Sequence, residues 1–195
     1  MIAIFDYGAG NLRSVQNTLD EIGARYEVVN GPAGLGRGEK IILPGVGHFG
    51  QMIRALDTLG VREALLGEMR SGKPFLGICL GLQALFERSD EAPEMQGLGF
   101  FEGSVKRFPL VARVPHMGWN DLSAKPGSRL VVGRPYVYFA HSYYCPVIDG
   151  TSATCEYSDI AYTAVLEAGN VCGVQFHPEK SGPVGLEIVR RFVAC

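Results

Sequence analysis

What this chain lacks narrows it first. No apolar run approaches the length needed to cross a membrane, and the opening MIAIFDYGAG has no basic stretch ahead of its apolar residues and meets Asp6 quickly, which does not fit a secretory leader. The expected compartment is the cytoplasm, with no membrane as a partner. Positive charge is not in excess: 18 Lys and Arg stand against 20 Asp and Glu, a net charge of -2, and no like-charged run forms a tail. A nucleic acid is therefore not an expected partner. The five cysteines, Cys79, Cys145, Cys155, Cys172 and Cys195, are odd in number and none is spaced C-x-x-C. That pattern suggests neither a disulfide framework nor a thiolate metal site and leaves reduced, mostly buried thiols. Internal repeats, low-complexity tracts and linkers are missing too, so 195 residues of 47% hydrophobic composition are expected to fold as one domain spanning 1–195.

What is present alternates. Ile2 to Phe5 is a short apolar run, followed by the turn-rich DYGAGN and then Leu12, Val15, Leu19 and Ile22 at helical spacing. Tyr26 to Val29, Lys40 to Pro44 and Pro74 to Ile78 read as further buried strands, with helices expected at about Gln51 to Leu59, Val61 to Arg70 and Leu80 to Arg88. Strands apolar on both faces that alternate with helices imply an α/β fold with a mostly parallel central sheet covered by helices on both faces. From about Phe100 the pattern changes to strands joined by turns, among them SVKRF, RLVVG, YVYFAHSYY and TSATCEY, with a closing helix at about Val184 to Val193. The expectation is an antiparallel extension of the same sheet in the second half. GPAGLGRG, Gly31 to Gly38, reads by composition as a flexible surface loop.

Within that frame, Gly77-Ile78-Cys79-Leu80-Gly81 has the G-x-nucleophile-x-G form of a strand-to-helix elbow. The glycines permit a sharp turn that lifts the thiol above the sheet, the Leu80 N–H points into the space above it, and the helix N-terminus favours a thiolate. The competing reading is an inert packed thiol. His177 and Glu179, in GVQFHPEKS, supply an imidazole and a carboxylate two residues apart that can orient it, against the alternative of a core histidine beside a surface glutamate. A zinc reading of the same H-x-E fails, because no P-C-x-x-C follows it. PGVGHFG, Pro44 to Gly50, follows a strand and could present N–H groups at Val46 and Gly47 that complete an oxyanion hole with Leu80. Neither GAGNLR nor GLGRGE ends in the glycine that a dinucleotide fingerprint requires. No metal and no cofactor are expected.

LPGVG, GICLGLQ and GVQFHPEKS, in that order, resemble the class I (triad) glutamine amidotransferases over essentially the whole chain. FDYGAGNLRSV, VPHMGWN and YFAHSYY are similar to the glutaminase subunits of imidazole glycerol phosphate synthases. Leu82 and Met117, where methionine and isoleucine are usual, are apolar departures. The resemblance implies hydrolysis of glutamine to glutamate and ammonia, with Cys79 as nucleophile, His177 as base and then acid, and Glu179 as the orienting carboxylate. It implies glutamine contacts at Gly47, Gln83, Ser142 and Tyr143. Its implied partner is a (β/α)8-barrel cyclase that uses the ammonia to form imidazole glycerol phosphate and an aminoimidazole carboxamide ribotide. Asn11, Trp119, Tyr136, Tyr138 and Lys180 would belong to the docking face, Trp119 in a polar turn.

Overall fold

The computed structural model describes residues 1–9 and 11–195; Gly10, part of the DYGAGN turn, lies outside them. The first half runs β1 (Ile2–Phe5), α1 (Leu12–Glu21), β2 (Tyr26–Val29), α2 (Pro32–Arg37), β3 (Lys40–Gly45), α3 (Phe49–Thr58), α4 (Arg62–Arg70), β4 (Phe75–Cys79) and the short α5 (Leu80–Gln83). The second half runs β5 (Phe86–Ser89), β6 (Phe101–Arg107), β7 (His116–Asp121), β8 (Ser123–Ala124), β9 (Tyr136–His141), β10 (Tyr143–Tyr144), β11 (Thr151–Tyr157), β12 (Ile160–Ala168) and β13 (Val171–Val174). A 3-10 turn at Pro178–Lys180 leads into α6 (Gly182–Ala194).

Eight strands form the central sheet in the order β2-β1-β3-β4-β13-β12-β11-β8. The run from β2 to β13 is parallel, and β12, β11 and β8 continue it antiparallel. Alternation along each strand sends side chains to two cores. From β1, Ala3 and Phe5 meet Leu35 of α2, Met52, Ile53 and Leu56 of α3, and Leu65 and Met69 of α4 on one face. Ile2 and Ile4 meet Val15 and Leu19 of α1 and Ile188, Val189 and Phe192 of α6 on the other. Each such buried side chain contributes about 1.5–3 kcal/mol relative to exposure, which is why runs apolar at every position became central strands.

The elbow exists because α5 lies directly against backbone. A Cβ on Gly81 would stand 1.9 Å from the Leu43 carbonyl oxygen, and one on Gly77 would stand 2.6 Å from the Gly81 oxygen. With side chains absent there, the chain reverses at Cys79 with φ 55° and ψ -106°. Register sets Cys79 beside Gly45 at the carboxyl ends of β4 and β3, the end of an open α/β sheet where ligand crevices form.

Four local expectations are corrected. Gly31 to Gly38 is not a loop: Pro32 starts a helix, Leu35 is fully buried beneath it, and Gly34 sits where a Cβ would strike the Val29 side chain. Helix from Leu80 stops at Gln83, because Phe86–Ser89 pairs instead with β6. Arg129 to Gly133 forms no strand, although Leu130 and Val131 are buried. Trp119 sits on a strand, β7, rather than in a turn. In addition, β5, β6 and β10 make one small sheet and β7 and β9 another, beside the antiparallel extension.

Two glycines separate close approach from mere tolerance. Gly81→Ala is expected to destabilise the chain by about 3 kcal/mol or more, since its methyl has backbone in the way. Gly67→Ala, exposed on α4 with no atom within 4 Å of the added carbon, is expected to stabilise by roughly 0.5–1 kcal/mol. Urea unfolding of both variants checks this, and equal effects would contradict the packing argument.

Candidate active site

Cys79 is 7% exposed and lines a cavity of about 210 Å³ together with Val46, Gly47, Leu80, Gln83, Ser142, Tyr143 and His177. β3, β4, the loop after β9 and the segment after β13 each supply part of that wall. His177 follows β13, and its backbone N–H donates to the Tyr138 carbonyl at 2.9 Å. Its Nδ1–H donates to Glu179 Oε1 at 2.8 Å, with both side chains nearly fully buried. The other ring nitrogen is left for the Cys79 sulfur, which lines the same cavity. Glu179 Oε2 is buried with no partner among the described residues.

Electrostatics sort the cysteines and histidines. Burial pushes Cys145 well above its ordinary value, Cys155 up to about 11 and Cys172 up to about 12, so these three stay thiols. Burial alone would lower His177, but the charge and hydrogen bond of Cys79, with Glu179 behind, outweigh it and raise the imidazole to about 10. The arrangement therefore favours an imidazolium at His177. His116 and His141 go the other way: burial lowers them to about 4 and about 3. Both are hydrogen-bonded neutral rings, His116 Nδ1 at 3.1 Å and His141 Nε2 at 3.2 Å from the Tyr162 hydroxyl.

Leu80 opens α5, so its N–H is free of the helix ladder and directed by the elbow. Val46 lines the cavity as well, with its peptide held by Tyr7. Its N–H donates to the Tyr7 hydroxyl at 3.0 Å, and that hydroxyl donates to the Val46 carbonyl at 2.9 Å. Burial pushes Tyr7 up to about 12, which keeps it a neutral phenol able to donate and accept at once. Gly47, at φ 99°, follows.

Of the residues expected to bind a small molecule, Gly47, Gln83, Ser142 and Tyr143 all reach the cavity. Gln83 is held by its Nε2, which donates to the Tyr143 carbonyl at 2.9 Å and to Gln175 Oε1 at 3.1 Å. The expected docking residues come from several elements. Trp119 and Tyr138 face each other across β7 and β9, their rings 6.1 Å apart at 76°, and Lys180 Nζ lies 5.7 Å over the Tyr138 ring. Tyr136 lies on the same side of β9, two residues from Tyr138. Asn11 precedes α1, a helix that packs against the 3-10 turn carrying Lys180. Met117 and Ala140 belong both to this sheet and to the cavity wall, so the exposed face runs into the site's mouth.

Sequence reasoning passed over Tyr7, Glu91 and Gln175. Glu91 lines the cavity and accepts the Phe49 N–H at 2.7 Å. Gln175 is fully buried, a polar group at the end of an apolar strand two residues before His177, which was the available signal. Among the described residues no group of His, Cys, Asp and Glu could hold a metal ion, and no helix is long and apolar enough to cross a membrane.

The family model for glutamine amidotransferase class-I matches residues 3–195. An imidazole glycerol phosphate synthase subunit HisH of Methanothermobacter thermautotrophicus is 48% identical over 196 residues, covering 99% of this chain and 98% of that one. The chloroplastic imidazole glycerol phosphate synthase hisHF of Arabidopsis thaliana is 43% identical over 201 residues, 99% of this chain but 34% of that protein. A crystal structure of a glutamine amidotransferase superposes with a TM-score of 0.79 at 20% identity, over 99% of this chain and 97% of that one. PurLQS from Thermotoga maritima gives 0.74, also at 20% identity, covering 99% and 97%. These two likenesses concern the fold.

The histidine environments set a pH dependence of stability. His116 and His141 titrate at about 4 and about 3 when folded against 6.5 ordinarily, so the unfolded chain takes up protons below pH 6.5 that the folded chain does not. Their contribution is complete above pH 6.5 and is lost as pH falls toward 4. His177 has the opposite sign: its contribution is present below 6.5 and is lost as pH rises through about 10. Urea midpoints at stepped pH should fall on both sides. A midpoint unchanged between pH 6.5 and 4.5 would contradict the assignment.

Proposed function

The chain belongs to the class I glutamine amidotransferases, and we propose that within the family it is the glutaminase subunit of an imidazole glycerol phosphate synthase, residues 1–195 acting as one domain. The observation that carries the chemistry is Cys79 and His177 lining one cavity, with His177 hydrogen-bonded to the buried Glu179. The Cys79 thiolate attacks the side-chain amide carbon of glutamine. His177, as imidazolium, gives its proton to the departing nitrogen, which leaves as ammonia, and a glutamyl thioester remains. His177 then takes a proton from water, which attacks the thioester and releases glutamate and the thiolate. Glu179 keeps the ring oriented and its charge balanced throughout. Gly47, Gln83, Ser142 and Tyr143 hold the substrate.

The leaving ammonia needs a receiver, because in water at neutral pH it becomes ammonium and loses its nucleophilicity. Trp119 and Tyr136, 56% and 61% exposed, with Met117 and Tyr138, form an aromatic surface of the kind that anchors interfaces, and it opens onto the cavity. A (β/α)8-barrel cyclase seated there would take the ammonia into the ring-forming reaction of histidine biosynthesis. The name and greater length of the Arabidopsis protein fit such a pairing within one chain. Five unpaired cysteines suit a reducing compartment, and we assign the cytoplasm.

The oxyanion hole in this conformation is half built. Leu80 offers its N–H, while the Val46 N–H is held by Tyr7. Turning the Val46 peptide would complete the pair, and seating of the liganded partner is the event that favours the turn. A missing oxyanion donor costs about 100- to 1,000-fold in kcat, which sets the expectation of low turnover by the subunit alone.

Glutamate release from glutamine by the purified chain should be weak alone and rise strongly with a cyclase subunit carrying its phosphoribulosyl ligand. Cys79→Ala should abolish both. Full turnover without a partner would indicate a stand-alone hydrolase instead. Tyr7→Phe removes the hydroxyl that holds Val46 and is expected to raise partner-free turnover roughly 2- to 10-fold, the effect of one hydrogen bond. Unchanged turnover in Tyr7→Phe would show that Val46 is not restrained this way.

A further inference from the structure

Gln175 connects the nucleophile to the substrate wall, and its orientation follows from a single backbone carbonyl. The Tyr143 oxygen can only accept, so Gln83 must present its NH2 there, at 2.9 Å. The second proton of that NH2 points to Gln175 at 3.1 Å, so Gln175 must present its oxygen. The Gln175 NH2 is then left facing the Cys79 sulfur, 3.6 Å away. The same carbonyl accepts the His141 Nδ1–H at 2.8 Å, so His141 Nε2 takes the Tyr162 O–H, and the Tyr162 oxygen takes the His116 Nδ1–H. One acceptor thus sets the direction of two hydrogen-bonded branches, one ending at the reacting sulfur and the other at β7.

We propose that Gln175 is a further member of the catalytic machinery: its amide N–H donates to the Cys79 sulfur and favours the thiolate, while its amide oxygen locks Gln83. With both Gln83 amide protons committed, the side chain has only its oxygen left to offer the cavity. It is an acceptor there, suited to an N–H group of the substrate. The substrate half of this inference rests on the glutaminase reading; the thiolate half does not. A donor to sulfur strengthens when the sulfur is charged, so the bond acts on the ionised form that attacks.

Alkylation of Cys79 by iodoacetamide, followed against pH at the Cys79 peptide by mass spectrometry, tests it in the full-length chain. Gln175→Met removes the donor at similar volume, and Gln175→Glu puts an oxygen against the sulfur. Both are expected to move the alkylation profile up by about one pH unit, Glu the further of the two, and to raise KM for glutamine with the cyclase present. Gln83→Met should raise KM and, by freeing the Gln175 amide that it orients, move the profile less far than either Gln175 variant does. Folded Gln175 variants with the wild-type profile would overturn the proposal, since a purely structural role lowers the melting temperature without moving it. The Gln175 side-chain amide resonance of the 15N-labelled wild-type chain is expected to shift when Cys79 is alkylated, which needs no variant to fold. An unmoved resonance overturns the proposal as well. If the profile shifts but glutamate release is missing from the wild-type complex, the glutaminase reading falls and the sulfur contact stands.

Discussion

Everything at the site depends on one residue being held where its backbone does not want to be. Cys79 sits at φ 55° and ψ -106°, a conformation that costs a non-glycine residue about 1–3 kcal/mol. It is held by β3 and β13 pairing on either side of β4, and by α5 pressed onto the sheet where Gly77 and Gly81 leave no side chains. Without that strain the sulfur would continue along the strand. With it, the thiol clears the sheet, the Leu80 N–H comes free, and the carboxyl ends of β3 and β13 deliver Val46 and His177 to the same cavity.

Residue type alone does not decide role in this molecule; surroundings do. Four histidines occupy three states. His48 accepts the Gly50 N–H at the start of α3, His116 and His141 are kept neutral by burial among aromatic rings, and His177 is driven toward its charged form. The cysteines divide similarly, with three buried thiols pushed upward and one aligned with a cationic partner. The unpartnered Glu179 Oε2 belongs to the same pattern. A buried carboxylate with a free oxygen is costly unless a positive charge stands close, and the His177 imidazolium provides it.

The parts of the fold legible in the sequence were those encoded by neighbours along the chain. The runs at Ile2, Lys40 and Pro74, the elbow at Cys79 and the His177 and Glu179 pair are each local, and the helical spacing of Leu12 to Ile22 is a direct image of one buried face. What escaped were decisions made by distant contacts. Helix was expected through Arg88, but pairing of Phe86 with Phe101 prevailed over local propensity. The Gly31 to Gly38 composition suggested a loop, yet a buried Leu35 and a Pro at the first helical turn made α2. Tyr7 with Val46, and Gln175 with Cys79, join residues 39 and 96 apart in sequence, a separation no periodicity encodes.

Strand β9 has two unlike sides. Outward, the Tyr138 ring stands between Trp119 and Lys180; along its backbone, the same residue accepts the His177 N–H at 2.9 Å and donates its own N–H to Ser181 Oγ at 3.0 Å. Ser181 in turn donates to the His177 carbonyl at 2.7 Å. Tyr138 thus touches the exposed aromatic face through its ring and the backbone that carries His177 through its peptide groups, so a single strand residue joins the surface to the wall of the cavity.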